Sequence, residues 1–105
     1  MEGLIEVYVT FSGKEEAEKV SFKLLNERLI ACTQILGPIR SMYWWKGKVE
    51  DEEEYLCIYK TRSERYRELE KRILELHSYE VPQIIAVDIR DGLRDYLKWI
   101  RDETG

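Results

Sequence analysis

The side chains in this sequence that are best suited to chemistry are two cysteines, Cys32 and Cys57, and a single histidine, His77. A thiolate is a soft ligand that favours Cu(I) or Zn(II) over Mg(II). One imidazole and two separated thiols cannot form a four-ligand structural zinc site within one chain. A Cys–His nucleophile pair would need one of the thiols within hydrogen-bond reach of His77. The residue types therefore allow soft-metal binding or, if a thiol and the imidazole meet, nucleophilic attack.

Each of the three residues also has a purely structural interpretation. Cys32, in LIACTQI, and Cys57, in YLCIY, are typical of small buried hydrophobic residues. His77 stands where a helix is predicted to end, and an imidazolium there meets the negative end of the helix dipole. The chain contains no H-E-x-x-H, paired C-x-x-C, P-loop, G-x-S-x-G or G-x-G-x-x-G motif. We therefore expect a protein that is not an enzyme.

Three successive rings, Tyr43, Trp44 and Trp45, form a second group of candidate binding residues. Three large rings in a row are too many for one face of a strand, so at least one must point toward a partner or a pocket. Lys60 has apolar neighbours and is either an edge cation or an anion-binding group in a pocket. The acidic residues 50–54 indicate a solvated hairpin tip that discourages edge-to-edge aggregation, or alternatively a weak cation-attracting patch.

These residues lie on or beside a long antiparallel hairpin. Over residues 42–62, two runs rich in Tyr, Trp and Ile flank a hydrophilic tip predicted at residues 46–54. Symmetric pairing about that tip would place Cys57 opposite Tyr43 or Trp44. Cys32 would then lie tens of ångströms away at ~3.3 Å per residue. Both cysteines are therefore predicted to be free thiols.

The remaining elements follow from hydrophobic periodicity. Ser12 followed by Glu15 has the capping-box spacing that starts a helix, and Thr61 or Ser63 is predicted to cap the next one. Gly37-Pro38 interrupts the first hairpin arm, which favours an edge strand because proline cannot donate to a ladder. In chain order we predict a strand over residues 4–11, a helix to about 28, a hairpin arm from 29 and its return to 62, a helix over 66–76, a strand over 84–89 and a helix over 93–100.

This order, β-α-β-β-α-β plus a terminal helix, predicts an α+β ferredoxin-like sandwich over residues 1–105, with one antiparallel sheet and two helices on one of its faces. Several strands carry apolar residues on both faces. Two helices cannot cover both sides of the sheet, so the open face needs the last helix, a partner chain, or both. The pattern therefore predicts a homo-oligomer.

Composition limits the classes of function. The chain has 105 residues, 44% hydrophobic and 36% charged, with a net charge of -4 and a pI near 5.1. A globular single domain is expected, and the acidic balance argues against a nucleic-acid partner. No run reaches the ~20 apolar residues of a membrane span, and no secretory signal is visible, so a cytoplasmic location is expected. The wealth of Glu, Lys and Arg with few amides is typical of a protein from a hot environment.

Five motifs together resemble the CutA family of divalent-cation tolerance proteins, in register over residues 7–104. Where that family commonly has proline between the histidine and the tyrosine, this chain has Ser78, which predicts a slightly looser turn. The motifs are ERLIAC at 27–32, YWWKGK at 43–48, KT at 60–61, HSYEVP at 77–82 and DYLKW at 95–99.

The resemblance implies a ferredoxin-like protomer in a compact homotrimer that binds copper or another divalent metal. Its candidate ligands are Cys32 and His77 near a subunit boundary. Two alternatives stay open: a small-molecule sensor or signalling adaptor similar to the PII proteins, taking an organic anion through Lys60, and a trimeric scaffold for a partner protein. The cleft or interface residues that the resemblance implies are Tyr43, Trp44, Trp45, Lys60, Tyr79 and Pro82.

Overall fold

The apolar face of strand β1 (Leu4–Phe11) lies at the centre of the fold. In the computed structural model, which describes residues 2–105, its residues Val7, Val9 and Phe11 are completely buried. Strand β1 pairs antiparallel with β3 (Lys48–Arg62) on one side and with β4 (Ile84–Asp88) on the other. Strand β2 (Cys32–Trp45) pairs with β3 and completes the sheet order β2-β3-β1-β4.

Two helices cover the face of the sheet to which these β1 residues point. Helix α1 (Lys14–Asn26) and helix α2 (Tyr66–Leu76) bury their apolar stripes there, and a 3₁₀ turn (Ser63–Arg65) precedes α2. Helix α3 (Arg94–Glu103) packs Leu97 and Ile100 onto Leu4, on the opposite face at one end. This arrangement confirms the predicted α+β ferredoxin-like sandwich with a terminal helix.

The open face of the sheet is only partly covered. The register pairs Tyr8 of β1 with Ile85 of β4 and Glu6 with Val87, so these side chains project away from α1 and α2. Ile85 and Val87 remain 51% and 47% exposed. Helix α3 covers one end of this face. The partner chain that we expect over the rest of the face stays a prediction.

The hairpin turn is shorter than the sequence suggested. Lys46 and Gly47 both have positive φ, 48° and 80°, and form a two-residue turn, as type I′ hairpins require. The acidic residues 50–54 therefore belong to β3, and the predicted tip over 46–54 was wrong. A long polar run inside a strand has the same composition as a loop.

The register of the hairpin shifts accordingly. Cys57 lies opposite Ile35, so the predicted pairing with Tyr43 or Trp44 was wrong, and Cys32 lies opposite Lys60. Both cysteines are free thiols, as predicted. The predicted edge position of the first arm is also confirmed, since β2 is the outermost strand, and its pairing is irregular between residues 36 and 39.

The predicted helix caps were wrong. Gly13, not Ser12, is the N-cap of α1, and it provides no side-chain hydrogen bond. Arg65 precedes α2, because the chain enters that helix through the 3₁₀ turn and not through a capping side chain. The Ser63 hydroxyl donates to the Gly3 carbonyl at 3.1 Å. Helix boundaries were close, with α1 ending at Asn26 where about residue 28 was predicted.

Two buried threonines differ in whether their hydroxyl group has a hydrogen-bond partner. Among residues 2–105 the Thr61 Oγ1 atom has no hydrogen-bond partner, whereas the Thr104 hydroxyl donates to the Ile100 carbonyl at 2.8 Å. A buried hydroxyl without a partner is destabilising, and its removal at constant shape relieves that cost. We expect Thr61→Val to raise the free energy of unfolding by about 1 kcal/mol and Thr104→Val to lower it by about the same. Denaturant unfolding at one protomer concentration measures both, and a loss in Thr61→Val would contradict the assignment.

Candidate functional site

A cleft of about 830 Å³ lies between the outer part of the hairpin and the segment over residues 78–83. Three of the predicted cleft residues, Tyr43, Trp45 and Tyr79, line it together. The charged side chains of its lining are the carboxylates of Glu50, Glu52, Glu54 and Glu80 and the guanidinium of Arg40. The walls are thus aromatic and the charge is predominantly negative.

Strand alternation explains why the carboxylates converge. Glu50, Glu52 and Glu54 are alternate residues of β3, and alternate side chains of a strand point to the same face. Tyr43 lies directly opposite Glu50 in the hairpin. Burial, followed by the negative charges of Glu52, Glu54 and Glu50, raises the pKa of Tyr43.

Glu54 differs from its neighbours because it is buried. Only 5% of its surface is exposed, and the Tyr79 hydroxyl donates to its Oε2 atom at 2.7 Å. Burial and the hydrogen bond to Glu54 raise the pKa of Tyr79 far above its usual range. The phenol therefore stays protonated, and a carboxylate with a neutral donor forms the floor of the cleft.

His77 holds this arrangement in place. Its Nδ1 atom accepts the Tyr79 backbone N–H at 3.0 Å, so the proton of the neutral ring is on Nε2. Nε2 donates to the Thr10 carbonyl at 2.7 Å, and the ring stacks on Phe11 with centroids 4.5 Å apart. Both nitrogens are engaged within the protomer, so His77 positions the residues that follow it.

Cys32 lies elsewhere on the sheet. Its Sγ atom is 3.6 Å from the Tyr96 hydroxyl, and burial and this contact raise the pKa of Tyr96 to about 12. Cys32 pairs with Lys60 of β3, and Lys60 pairs in turn with Glu6 of β1. His77, in contrast, hydrogen-bonds to the carbonyl of Thr10 further along β1. Four residues of β1 separate these positions, or about 13 Å. Within one chain the two candidate ligands are not brought together, and a shared site would need Cys32 and His77 from different chains.

The other predicted cleft residues do not line this cleft. Lys60 Nζ donates to the Gln34 Oε1 atom and lies 3.8 Å from Glu6. Trp44 is 75% exposed, since it alternates with the two rings that face the cleft. Pro82 is half-buried just before β4.

A hydrogen bond from the backbone of Ser78 helps to hold the turn after His77. The Ser78 backbone N–H donates to Glu16 Oε2 at 2.9 Å, a bond that proline cannot make. The looser turn expected relative to proline stays a prediction. Neither this contact nor the burial of Glu54 was found from the sequence. Residues 50–54 are uniformly acidic, so no alternation in the sequence indicated which of them is buried.

Two features are absent from the part of the chain that the structure describes. In residues 2–105 no group of three or more His, Cys, Asp or Glu side chains is placed to hold a metal ion. Within the same span no helix has both the length and the apolar character needed to cross a bilayer.

Comparison with known proteins is consistent along almost the whole chain. The family model described as "CutA1 divalent ion tolerance protein" matches residues 5–103. The divalent-cation tolerance protein CutA of Pyrococcus horikoshii is 52% identical over 101 residues, 96% of this chain and 98% of that protein. Its namesake from Archaeoglobus fulgidus is 44% identical over 98 residues, 93% of this chain and 94% of that protein.

Solved structures agree. The crystal structure of CutA1 from Pyrococcus horikoshii has a TM-score of 0.91 at 50% identity, covering 96% of this chain and 98% of that one. A structure from Archaeoglobus fulgidus, described as a periplasmic divalent cation tolerance protein, has a TM-score of 0.94 at 39% identity, covering 97% and 99%. The chain belongs to the CutA1 family of divalent ion tolerance proteins.

Proposed function

We propose that this protein acts in divalent-cation tolerance as a homotrimer that binds copper, with the Cys32 thiolate as a ligand and no catalytic step. The observation that carries the proposal is the contrast between the two thiols in a chain of this family. Cys57 is completely buried, whereas Cys32 is partly exposed on the open face of the sheet. A soft thiolate within reach of solvent favours copper over hard cations.

Assembly is supported by the apolar surface that one chain leaves uncovered. Strand β2 is an unpaired sheet edge, and Trp44 on it and Ile85 and Val87 on the open face are all largely exposed. Large apolar side chains that stay exposed can mark an interface, and an uncovered edge strand invites pairing with another chain. A trimer built over this face would surround Cys32 with further donors, among which His77 of a neighbouring subunit remains a prediction. We also propose that the protein works in the cytoplasm.

Copper affinity is expected to depend on Cys32. Calorimetric titration of the assembled protein with copper, under reducing and under oxidising conditions, should show at least a tenfold loss of affinity in Cys32→Ala, or ~1.4 kcal/mol. Cys57→Ala is the matched control, since it removes the buried thiol and should leave the affinity unchanged. Equal affinities in wild type and Cys32→Ala would remove Cys32 from the site, and absence of binding by wild type would overturn the copper proposal.

The exposure of Trp44 fits the scaffold alternative equally well, in which another protein covers that ring. Oligomeric state separates the two roles, because Trp44→Ala should weaken the trimer if the ring lies between subunits and leave it intact if it awaits another protein. The anion-sensor alternative is less well supported, since Lys60 already has the Gln34 and Glu6 side chains as partners.

A further inference from the structure

We propose that the cleft between the hairpin and residues 78–83 binds a linear organic polycation, an aliphatic polyamine, with Glu54 as its buried anionic anchor. This site goes beyond the proposed copper site, because Cys32 is not among the cleft residues. Three features carry the proposal: an uncompensated buried carboxylate, the spacing of the carboxylates, and the aromatic walls.

The first feature is the charge of the cleft. Its lining contains four carboxylates and one guanidinium, that of Arg40. Arg40 is neutralised by Asp51 outside the cleft, through contacts of 2.9 and 2.6 Å. Within residues 2–105, Glu50, Glu52 and Glu54 form no ion pair.

The negative charge of the cleft matters most at Glu54, because this carboxylate is buried. A buried carboxylate is more stable when a cation lies beside it. Among residues 2–105, the Glu54 carboxylate accepts one hydrogen bond, from the neutral hydroxyl of Tyr79. A ligand that brings a positive charge to Glu54 would stabilise this carboxylate, so the cleft is electrostatically complementary to a cation.

The second feature is spacing, which distinguishes a polycation from a single metal ion. Carboxylates on alternate residues of a strand are roughly 6.6 Å apart, whereas a calcium-sized ion needs all of its oxygen ligands at about 2.3–2.6 Å. The described residues accordingly contain no three-ligand metal cluster. In a linear polyamine, neighbouring ammonium groups are separated by three- or four-carbon chains, a distance comparable to that of the carboxylates along β3.

The third feature is the aromatic wall formed by Tyr43, Trp45 and Tyr79. An ammonium group is attracted to the face of such rings, and most strongly to tryptophan. The chain contains an example beside two of the lining residues, where Lys46 Nζ lies 5.6 Å from the centroid of Trp45 and 3.8 Å from Glu80. The methylene chains of a polyamine would pack against the rings. A volume of about 830 Å³ is also adequate for a small organic ligand.

The test is a titration of the assembled protein with spermidine, followed by tryptophan fluorescence and by calorimetry. We expect saturable binding that is weakened at least tenfold in Glu54→Gln, whose amide oxygen still accepts the Tyr79 hydrogen bond. Glu53→Gln is the matched control, since it removes the same charge from the neighbouring residue, which is exposed and outside the cleft. Glu52→Gln, a cleft variant on an exposed position, should weaken binding without any risk to the fold.

Three results would overturn the proposal. The first is absence of saturable binding by wild type. The second is an equal loss of affinity in Glu53→Gln and Glu54→Gln, which would show general charge attraction only. The third is displacement of spermidine by Mg²⁺ at an equal concentration of charge. Cys32→Ala should bind spermidine like wild type. Its copper titration therefore tests the proposed function separately, and either conclusion can fail without the other.

Discussion

Replacing His77 with alanine is expected to lower the free energy of unfolding by about 3 kcal/mol. The substitution deletes a ring stacked on Phe11 and leaves the Thr10 carbonyl and the Tyr79 N–H without their partner. Each unpaired buried group costs about 1–3 kcal/mol, and the lost packing adds to this. Denaturant unfolding at a fixed protomer concentration measures the change, because the stability of an oligomer depends on concentration.

His77→Asn separates the two hydrogen bonds. An asparagine carbonyl can accept the N–H two residues later, as in an Asx turn, so it can replace Nδ1 toward Tyr79. Its side chain is too short to reach Thr10 as well. We expect a loss of about half that of alanine. A His77→Ala variant with wild-type stability would show that the ring does not hold the Tyr79 turn.

Copper affinity in the same two variants distinguishes positioning from ligation. If His77 of one chain completes a copper site on another, Asn and Ala should weaken copper binding equally, since neither provides an imidazole. If His77 acts only through Tyr79 within its own chain, both variants should bind copper like wild type. The structural role described for residues 77–79 favours the second outcome.

Hydrophobic periodicity was sufficient to predict the order of strands and helices, because each amphipathic segment can bury its apolar residues in only one way. Val7, Val9 and Phe11 alternate as a half-buried strand must, and Leu69 and Ile73 recur at helical spacing, so the sandwich followed. The position of the hairpin turn could not be predicted in this way, since composition cannot distinguish a polar loop from a polar strand. Only the backbone at Lys46 and Gly47 decides where the chain reverses.

The candidate site was predictable by residue type but not by position. Cys32 and His77 were predicted as metal ligands from their residue types together with the resemblance to the CutA family. The distance between them depends on the register of three strands, which no local pattern encodes. Glu54 was placed in a solvated tip because acids are rarely buried. Its burial arises from a long-range contact with Tyr79, 25 residues away in the chain.

Gly37→Ala is expected to lower the free energy of unfolding by about 3 kcal/mol, at the upper end of the range for overpacking. A Cβ atom at this position would lie 2.3 Å from Cδ2 and 2.7 Å from Cε2 of Tyr55. The ring cannot move aside without loss, because it packs against the main hydrophobic core. Thermal unfolding measures the cost. Gly13→Ala is the control, since nothing lies within 4 Å of its added Cβ, and it should cost under about 1 kcal/mol.

A double-mutant cycle identifies the cause of the Gly37 effect. If the clash with Tyr55 is responsible, Gly37→Ala should cost under about 1 kcal/mol in a Tyr55→Ala background, a coupling energy of about 2 kcal/mol. An equal cost in both backgrounds would place the strain in the irregular backbone between residues 36 and 39 instead. The outer hairpin lies beyond residue 37, so we expect a displacement of Tyr55 to change the direction in which Glu50, Glu52 and Glu54 face residues 78–83. Spermidine affinity should therefore fall in Gly37→Ala even though residue 37 does not line the cleft.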